Sequence, residues 1–194
     1  WETAAGRRPR LGPANSLLSS RPVTALESPV LPVERASALN ALTISAGPGA
    51  GKTTCAWEVA SQLKKKGINT EYVSEYAKEL VWEGKYDVLE NQEHLFAEQA
   101  KRLERLRGKV EVIVTDSPIL MSHIYGRNNS TDFTMRIDDE YKKYYNFNLF
   151  IKRGDTFQQA GRIQNLEESK ALDRKIMNML KEKNIYFGVY SHEN

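Results

Sequence analysis

From residue 38 onward, short apolar runs alternate with stretches in which apolar positions recur at helical spacing. Residues 39–45 (LNALTIS) predict a first strand running into a Gly-rich turn. Residues 52–66 predict a helix, because Ala56, Val59, Ala60 and Leu63 fall on one face and Gly67 stops it. Residues 70–73 (TEYV) predict a second strand, with Ser74 placed to cap the helix after it. A long amphipathic helix is expected over about residues 89–107, closed by Gly108. Residues 110–114 (VEVIV) predict a third strand that delivers Thr115, Asp116, Ser117 and Pro118. A short helix over 138–145, a fourth strand over 147–151, a charged helix over 166–183 and a fifth strand over 185–189 complete the pattern. Strands separated by helices call for right-handed crossovers, and so for a parallel sheet covered on both faces. The fold class is therefore α/β, a three-layer sandwich.

Residues 1–37 follow neither rhythm. They hold Pro9, Pro13, Pro22, Pro29 and Pro32, five of the chain's seven prolines, and are expected to form a disordered tail before a single domain over 38–194. Their Arg and Ser content loosely suggests a transit peptide, and a plain floppy tail is the reading taken. The net charge is +3, but residues 38–194 carry 23 Lys and Arg against 22 Asp and Glu, so most of the basic excess sits in the tail. That near-neutral remainder does not suit a dedicated nucleic-acid binder. No apolar run approaches the ~18 residues that span a membrane. The lone cysteine, Cys55, rules out an internal disulfide and fits a reducing compartment; a cytoplasmic location is expected. Cys55 itself is read as a packed thiol.

The chemistry concentrates where strands give way to helices. Ala46-Gly47-Pro48-Gly49-Ala50-Gly51-Lys52-Thr53, followed by Thr54, sits between the first strand and the first helix, the setting a Walker A phosphate loop requires. The glycines let successive N–H groups point at phosphate oxygens, and the positive end of the helix faces the same oxygens. Lys52 brings a charge to the β and γ phosphates of ATP, and Thr53 offers a hydroxyl to Mg²⁺. Asp116 ends the third strand on the ligand edge of the sheet and is read as the partner metal carboxylate; an N-cap role is open beside it. Glu75 ends the second strand on the same edge. Two readings stand side by side: a carboxylate that orients the acceptor hydroxyl, or half of a surface ion pair with Lys78. Lys152, Arg153 and Arg162 stand where a lid would close over the phosphates. His94, His123 and His192 show no metal-ligand spacing, and Tyr141, Tyr144 and Tyr145 are read as packing a helix on the sheet.

These pieces in this order, GPGAGKTT, SEYAKEL, LFAEQAKRLERL, VIVTDSP, DDEYKKYYNFNLFI, AGRIQN and DRKIMNMLKEKNIYF, resemble the P-loop kinase domain of the NadR type, the ribosylnicotinamide kinase part of that protein, and the AAA-like domains grouped with it. The resemblance covers about residues 41–190. It implies strand order 2-3-1-4-5, Glu75 and Asp116 at the acceptor and metal positions, and Arg162 as a lid arginine. The sequence departs in carrying Lys78 where relatives often have Arg, and Gln-Ala-Gly-Arg in the lid. The expectation is an ATP- and Mg²⁺-dependent kinase acting on a nucleoside-like small molecule. A kinase acting on DNA, or on a modified base in it, is the second reading. A non-kinase ATP-binding regulatory protein is the third. The Asn-Lys-x-Asp guanine motif is missing, which disfavours a small GTPase.

Overall fold

The computed structural model describes residues 39–126, 129–154 and 164–191. Five strands, β1 (Asn40–Ser45), β2 (Thr70–Val73), β3 (Val112–Thr115), β4 (Tyr145–Lys152) and β5 (Phe187–Ser191), form one sheet in the order 2-3-1-4-5. Every pairing is parallel. The helices are α1 (Lys52–Lys65), α2 (Tyr76–Glu83), α3 (Tyr86–Leu89), α4 (Gln92–Glu104), α5 (Ser122–Tyr125), α6 (Thr131–Lys142) and α7 (Leu166–Glu182).

Successive strand residues point to opposite faces, so the sheet feeds two cores. Ala41, Ile113 and Phe150 meet Phe96 and Leu103 of α4, Phe133 and Ile137 of α6, and Ile176 and Leu180 of α7. Ile44, Val114 and Ile151 meet Cys55, Ala56 and Ala60 of α1 on the other side. Each large apolar side chain removed from water contributes ~1.5–3 kcal/mol, so these two layers supply the driving force that holds the strand ends in place. Cys55 is buried and free, as its sequence setting suggested.

Several boundaries differ from the sequence pattern, each for a local reason. The third strand begins at Val112, because the N–H groups of Glu111 and Val112 both donate to Asn69 O in the turn before β2. The helix α6 starts at Thr131: Ser130 caps it by accepting from Phe133 N at 3.1 Å, and buried Phe133 and Ile137 give it an apolar face that the pattern missed. Tyr145 belongs to β4, not to that helix, and stacks edge-on with Phe147 at 4.9 Å. The fifth strand starts at Phe187, because Ile185 N is still donating to Leu180 O at 2.8 Å and Asn184, at φ 52°, closes α7 in the left-handed region. The long helix expected over 89–107 is shorter. It begins at Gln92, where Asn91 caps it by accepting from His94 N.

Candidate active site

The strand–loop–helix unit β1–α1 wraps the phosphate loop. Gly49 and Gly51 take φ of 78° and 92°, a region that strains any side chain. Gly47 is constrained differently. A Cβ there would lie 2.5 Å from the backbone oxygen of Ser169 and 2.9 Å from Asp173 Oδ1, both on α7. The capping box at Asn165 starts α7 where Ser169 and Asp173, one turn apart, face the loop. Gly47 N donates to Asp173 Oδ1 at 2.5 Å. Arg153, just past β4, then ties the corner: its Nε donates to Asp173 Oδ2 at 2.9 Å and its Nη1 to Pro48 O at 2.8 Å. Its side chain is only 7% exposed, so Arg153 is a buried pin and not a solvated lid residue. Lys152 ends β4 and is exposed. Arg162 lies outside the described residues, as does the rest of the Gln-Ala-Gly-Arg segment.

Lys52 opens α1 and its Nζ reaches back to Gly47 O at 3.5 Å. Thr53 Oγ1 donates to Asp116 Oδ2 at 2.5 Å, which brings together the two groups expected at the metal. Asp116 is 2% exposed and its other oxygen accepts from Tyr72 OH at 2.9 Å. Burial and the neighbouring Asp116 charge push the Tyr72 phenol well up, so it stays a donor. The N-cap reading of Asp116 yields to this arrangement: both carboxylate oxygens are engaged away from the turn that follows, and Ser117 N donates instead to Thr115 Oγ1. Thr54 is exposed on the first turn of α1, and Ala50 is buried beneath the loop. A hydroxyl and a carboxylate are hard oxygen donors that suit Mg²⁺, which takes most of its remaining ligands from phosphates and water. Among the described residues no cluster of His, Cys, Asp and Glu suits a softer metal.

Glu75 stands beside this pair. It lines a cavity of about 60 Å³ together with Lys52, Asp116, Tyr76, Leu95 and Tyr125. That space holds only a handful of water-sized groups, enough for the hydroxyl-bearing end of a substrate. Burial raises the Glu75 carboxyl above its usual range; Lys52 opposes the rise, Asp116 adds to it and Lys78 opposes it. A carboxylate whose affinity for a proton is raised in a cleft is a candidate proton acceptor. The surface pair with Lys78 does not form among the described residues: Lys78 is exposed, and it acts on Glu75 only through its field. Ser74 does not cap α2 either. Its Oγ donates to Glu79 Oε1 at 3.0 Å, and Glu75 takes the N-cap position without using its side chain.

Two participants, Tyr72 and Asp173, escaped the sequence reading, and Arg153 was expected in a lid and not as a pin between the loop and α7. Tyr72 was legible in principle, since strand pairing of Tyr72 with Val114 puts it on the face from which Asp116 emerges. Asp173 and the pinning role of Arg153 had no local signal, because what gives them meaning is the approach of α7 to the loop. Of the two histidines among the described residues, His94 lies edge-on to Tyr76 and His123 pairs with Asp138 at 2.8 Å, and neither lines the cavity; His192 lies outside the described residues.

A phosphate loop after the central strand, a hydroxyl–carboxylate pair at the neighbouring strand end and a parallel 2-3-1-4-5 sheet define a P-loop domain with a nucleotide-kinase fold. A family model described as an AAA domain matches residues 42–192, and the chain belongs to that family. The crystal structure of thymidylate kinase from Ehrlichia chaffeensis is similar at a TM-score of 0.57 and 13% identity, covering 81% of this chain and 89% of that one. At that identity the likeness concerns the fold. No curated protein matches the chain. Among the described residues no helix is long and apolar enough to cross a membrane.

Proposed function

We propose that the protein is an ATP-dependent phosphotransferase that passes the γ-phosphoryl group to a hydroxyl of a nucleoside-like small molecule, ribosylnicotinamide-like in kind. The observation that carries this reading is one cavity in which Lys52, Asp116 and a raised-pKa carboxylate, Glu75, meet under a partly aromatic wall. In this reading the amides of residues 47–53 and the Lys52 ammonium hold the phosphates. Thr53 and Asp116 are the residues that would hold Mg²⁺, which would supply positive charge to offset that of the phosphates. Glu75 orients the acceptor hydroxyl and takes its proton as transfer proceeds. Tyr72 keeps Asp116 aimed at the metal by occupying its far oxygen. Tyr76, Leu95 and Tyr125 exclude water from the transferring group. Arg162 is assigned to lid closure by the family resemblance alone.

The test is single-turnover transfer from Mg-ATP to ribosylnicotinamide, alongside a panel of nucleosides, for wild type and Glu75→Gln. The variant should transfer about 10²–10⁴ times more slowly while binding an ATP analogue as wild type does. Wild-type turnover in the variant would remove Glu75 from the site. A wild-type chain that hydrolyses ATP but phosphorylates none of the nucleosides would refute the kinase reading.

A further inference from the structure

We propose that Gln99 of α4 is a positioning residue that fixes the β2–α2 turn and so holds Glu75 on the acceptor side of the phosphate site; this rests on the reading of Glu75 given above.

Gln99 is 5% exposed, and both ends of its carboxamide are committed. Its Nε2 donates to Ser74 O at 3.3 Å, and its Oε1 accepts from Tyr76 N at 3.1 Å. Those are the peptide groups on the two sides of Glu75, so one side chain brackets one residue. The bracket answers a problem of helix initiation. The first N–H groups of α2 have no partner within the helix, and an N-cap residue ordinarily satisfies one with its own side chain. Glu75 occupies the N-cap with φ −70° and ψ 117°, yet makes no side-chain cap bond. Gln99 supplies a partner for the Tyr76 amide from a neighbouring helix, which leaves the Glu75 carboxylate to face the cavity it lines.

The same helix grips α2 a second time. Arg102, three residues on, donates from Nη1 and Nη2 to the two Glu79 oxygens at 2.6 Å each, and its guanidinium lies 4.7 Å over the Tyr76 ring. The bonds from Arg102 hold the Glu79 carboxyl below its usual range, although burial works against them. Ser74 Oγ joins the same carboxylate. The turn is thus clamped to α4 at Ser74, Tyr76 and Glu79, with Glu75 the side chain left over. Reaction geometry is steep in distance: a displacement of about 1 Å at a reacting group costs on the order of 10² in rate. A loosened clamp therefore lowers transfer before it lowers nucleotide binding, which depends on the separate β1–α1 unit.

Gln99→Met keeps the length and removes both bonds; Gln99→Glu keeps acceptance from Tyr76 N and loses donation to Ser74 O. Three quantities are read on each: hydrogen exchange of the Tyr76 amide by NMR, affinity for a non-hydrolysable ATP analogue with Mg²⁺, and single-turnover transfer to ribosylnicotinamide. In Gln99→Met the Tyr76 amide should exchange at least about tenfold faster and transfer should fall about 10–100-fold, with ATP-analogue affinity within about twofold. Gln99→Glu should fall between, and it keeps the test alive if the Met variant does not fold. In the Glu75→Gln background, Gln99→Met should cost less than about threefold more, because both changes act through one carboxylate. Unchanged Tyr76 exchange overturns the clamp. Full transfer by Gln99→Met beside an inactive Glu75→Gln overturns the positioning role and leaves the function standing, as do losses that simply multiply. A fully active Glu75→Gln, or a wild-type chain that transfers to no nucleoside, overturns the parent reading and this role with it.

Discussion

Replacing Gly47 by alanine tests the least expected contact of the molecule, the seat of α7 on the phosphate loop. An alanine Cβ would sit 2.5 Å from Ser169 O, 2.9 Å from Asp173 Oδ1 and 3.1 Å from Arg153 Nη2. The first of these atoms is backbone, so α7 or the loop must move as a unit. Overpacking of this kind costs ~1–3 kcal/mol. The shift also stretches the Gly47–Asp173 and Arg153–Pro48 bonds, and bonds to charged groups contribute about 1.5–3 kcal/mol each when intact. Against this stands a gain of about 0.4–1 kcal/mol from a stiffer unfolded chain. A net loss of about 2–4 kcal/mol follows if one such bond is lost in part. In a domain of this size each kcal/mol lowers Tm by ~2–4 °C, so calorimetry should find Gly47→Ala melting about 10 °C below wild type. Gly188→Ala is the control, since its Cβ meets only Leu149 Cδ1 at an ordinary 3.5 Å; it should melt within a degree or two of wild type. Equal melting of Gly47→Ala and wild type would mean that α7 does not press on the loop as described.

Lys52→Ala should abolish measurable binding of an ATP analogue with Mg²⁺ by calorimetry while leaving Tm nearly unchanged, because the Nζ makes only a 3.5 Å contact to Gly47 O; wild-type affinity would refute the phosphate-loop assignment. Stability should fall as pH drops from 7 to 5, in part through His123: burial pushes its imidazole down, the bond to Asp138 resists, and nearby Lys183 pushes it down again, leaving it below 6.5 in the folded state. A depressed imidazole contributes stability that is present above the unfolded value and lost as pH falls through the folded one, so the unfolding free energy of His123→Gln from urea titrations should decline less over this window, by under about 1.4 kcal/mol per pH unit; parallel pH curves would refute it. Asp138 is pushed up by burial but held below 3.8 by its bonds from Lys183 and His123, so its own contribution fades only in stronger acid.

The elements that announce themselves in the sequence are those whose causes are local. The phosphate loop is a run of consecutive residues, and the second strand spans residues 70–73 as its sequence pattern predicts, between Gly67-Ile68-Asn69 and Ser74-Glu75. The strand order followed from resemblance, not from periodicity, and the sheet agrees with it. What stayed hidden depends on chain segments that meet only after folding. Asp173 is 126 residues from the Gly47 amide it accepts from; in the sequence it is one charged residue among many on an amphipathic helix. Gln99 lies 25 residues from Ser74, and its spacing says no more than that α4 has a polar position inside its apolar stripe. That mismatch was nonetheless a usable signal. A glutamine on a helix face otherwise carried by Phe96 and Leu103 must find partners for both ends of its amide or cost stability. The partners it finds are at the start of α2, where Glu75 holds the N-cap position without a side-chain cap bond. Here the buried amide on a core-facing helix position points to a turn whose cap is not served locally. That turn carries the carboxylate on which the proposed chemistry depends.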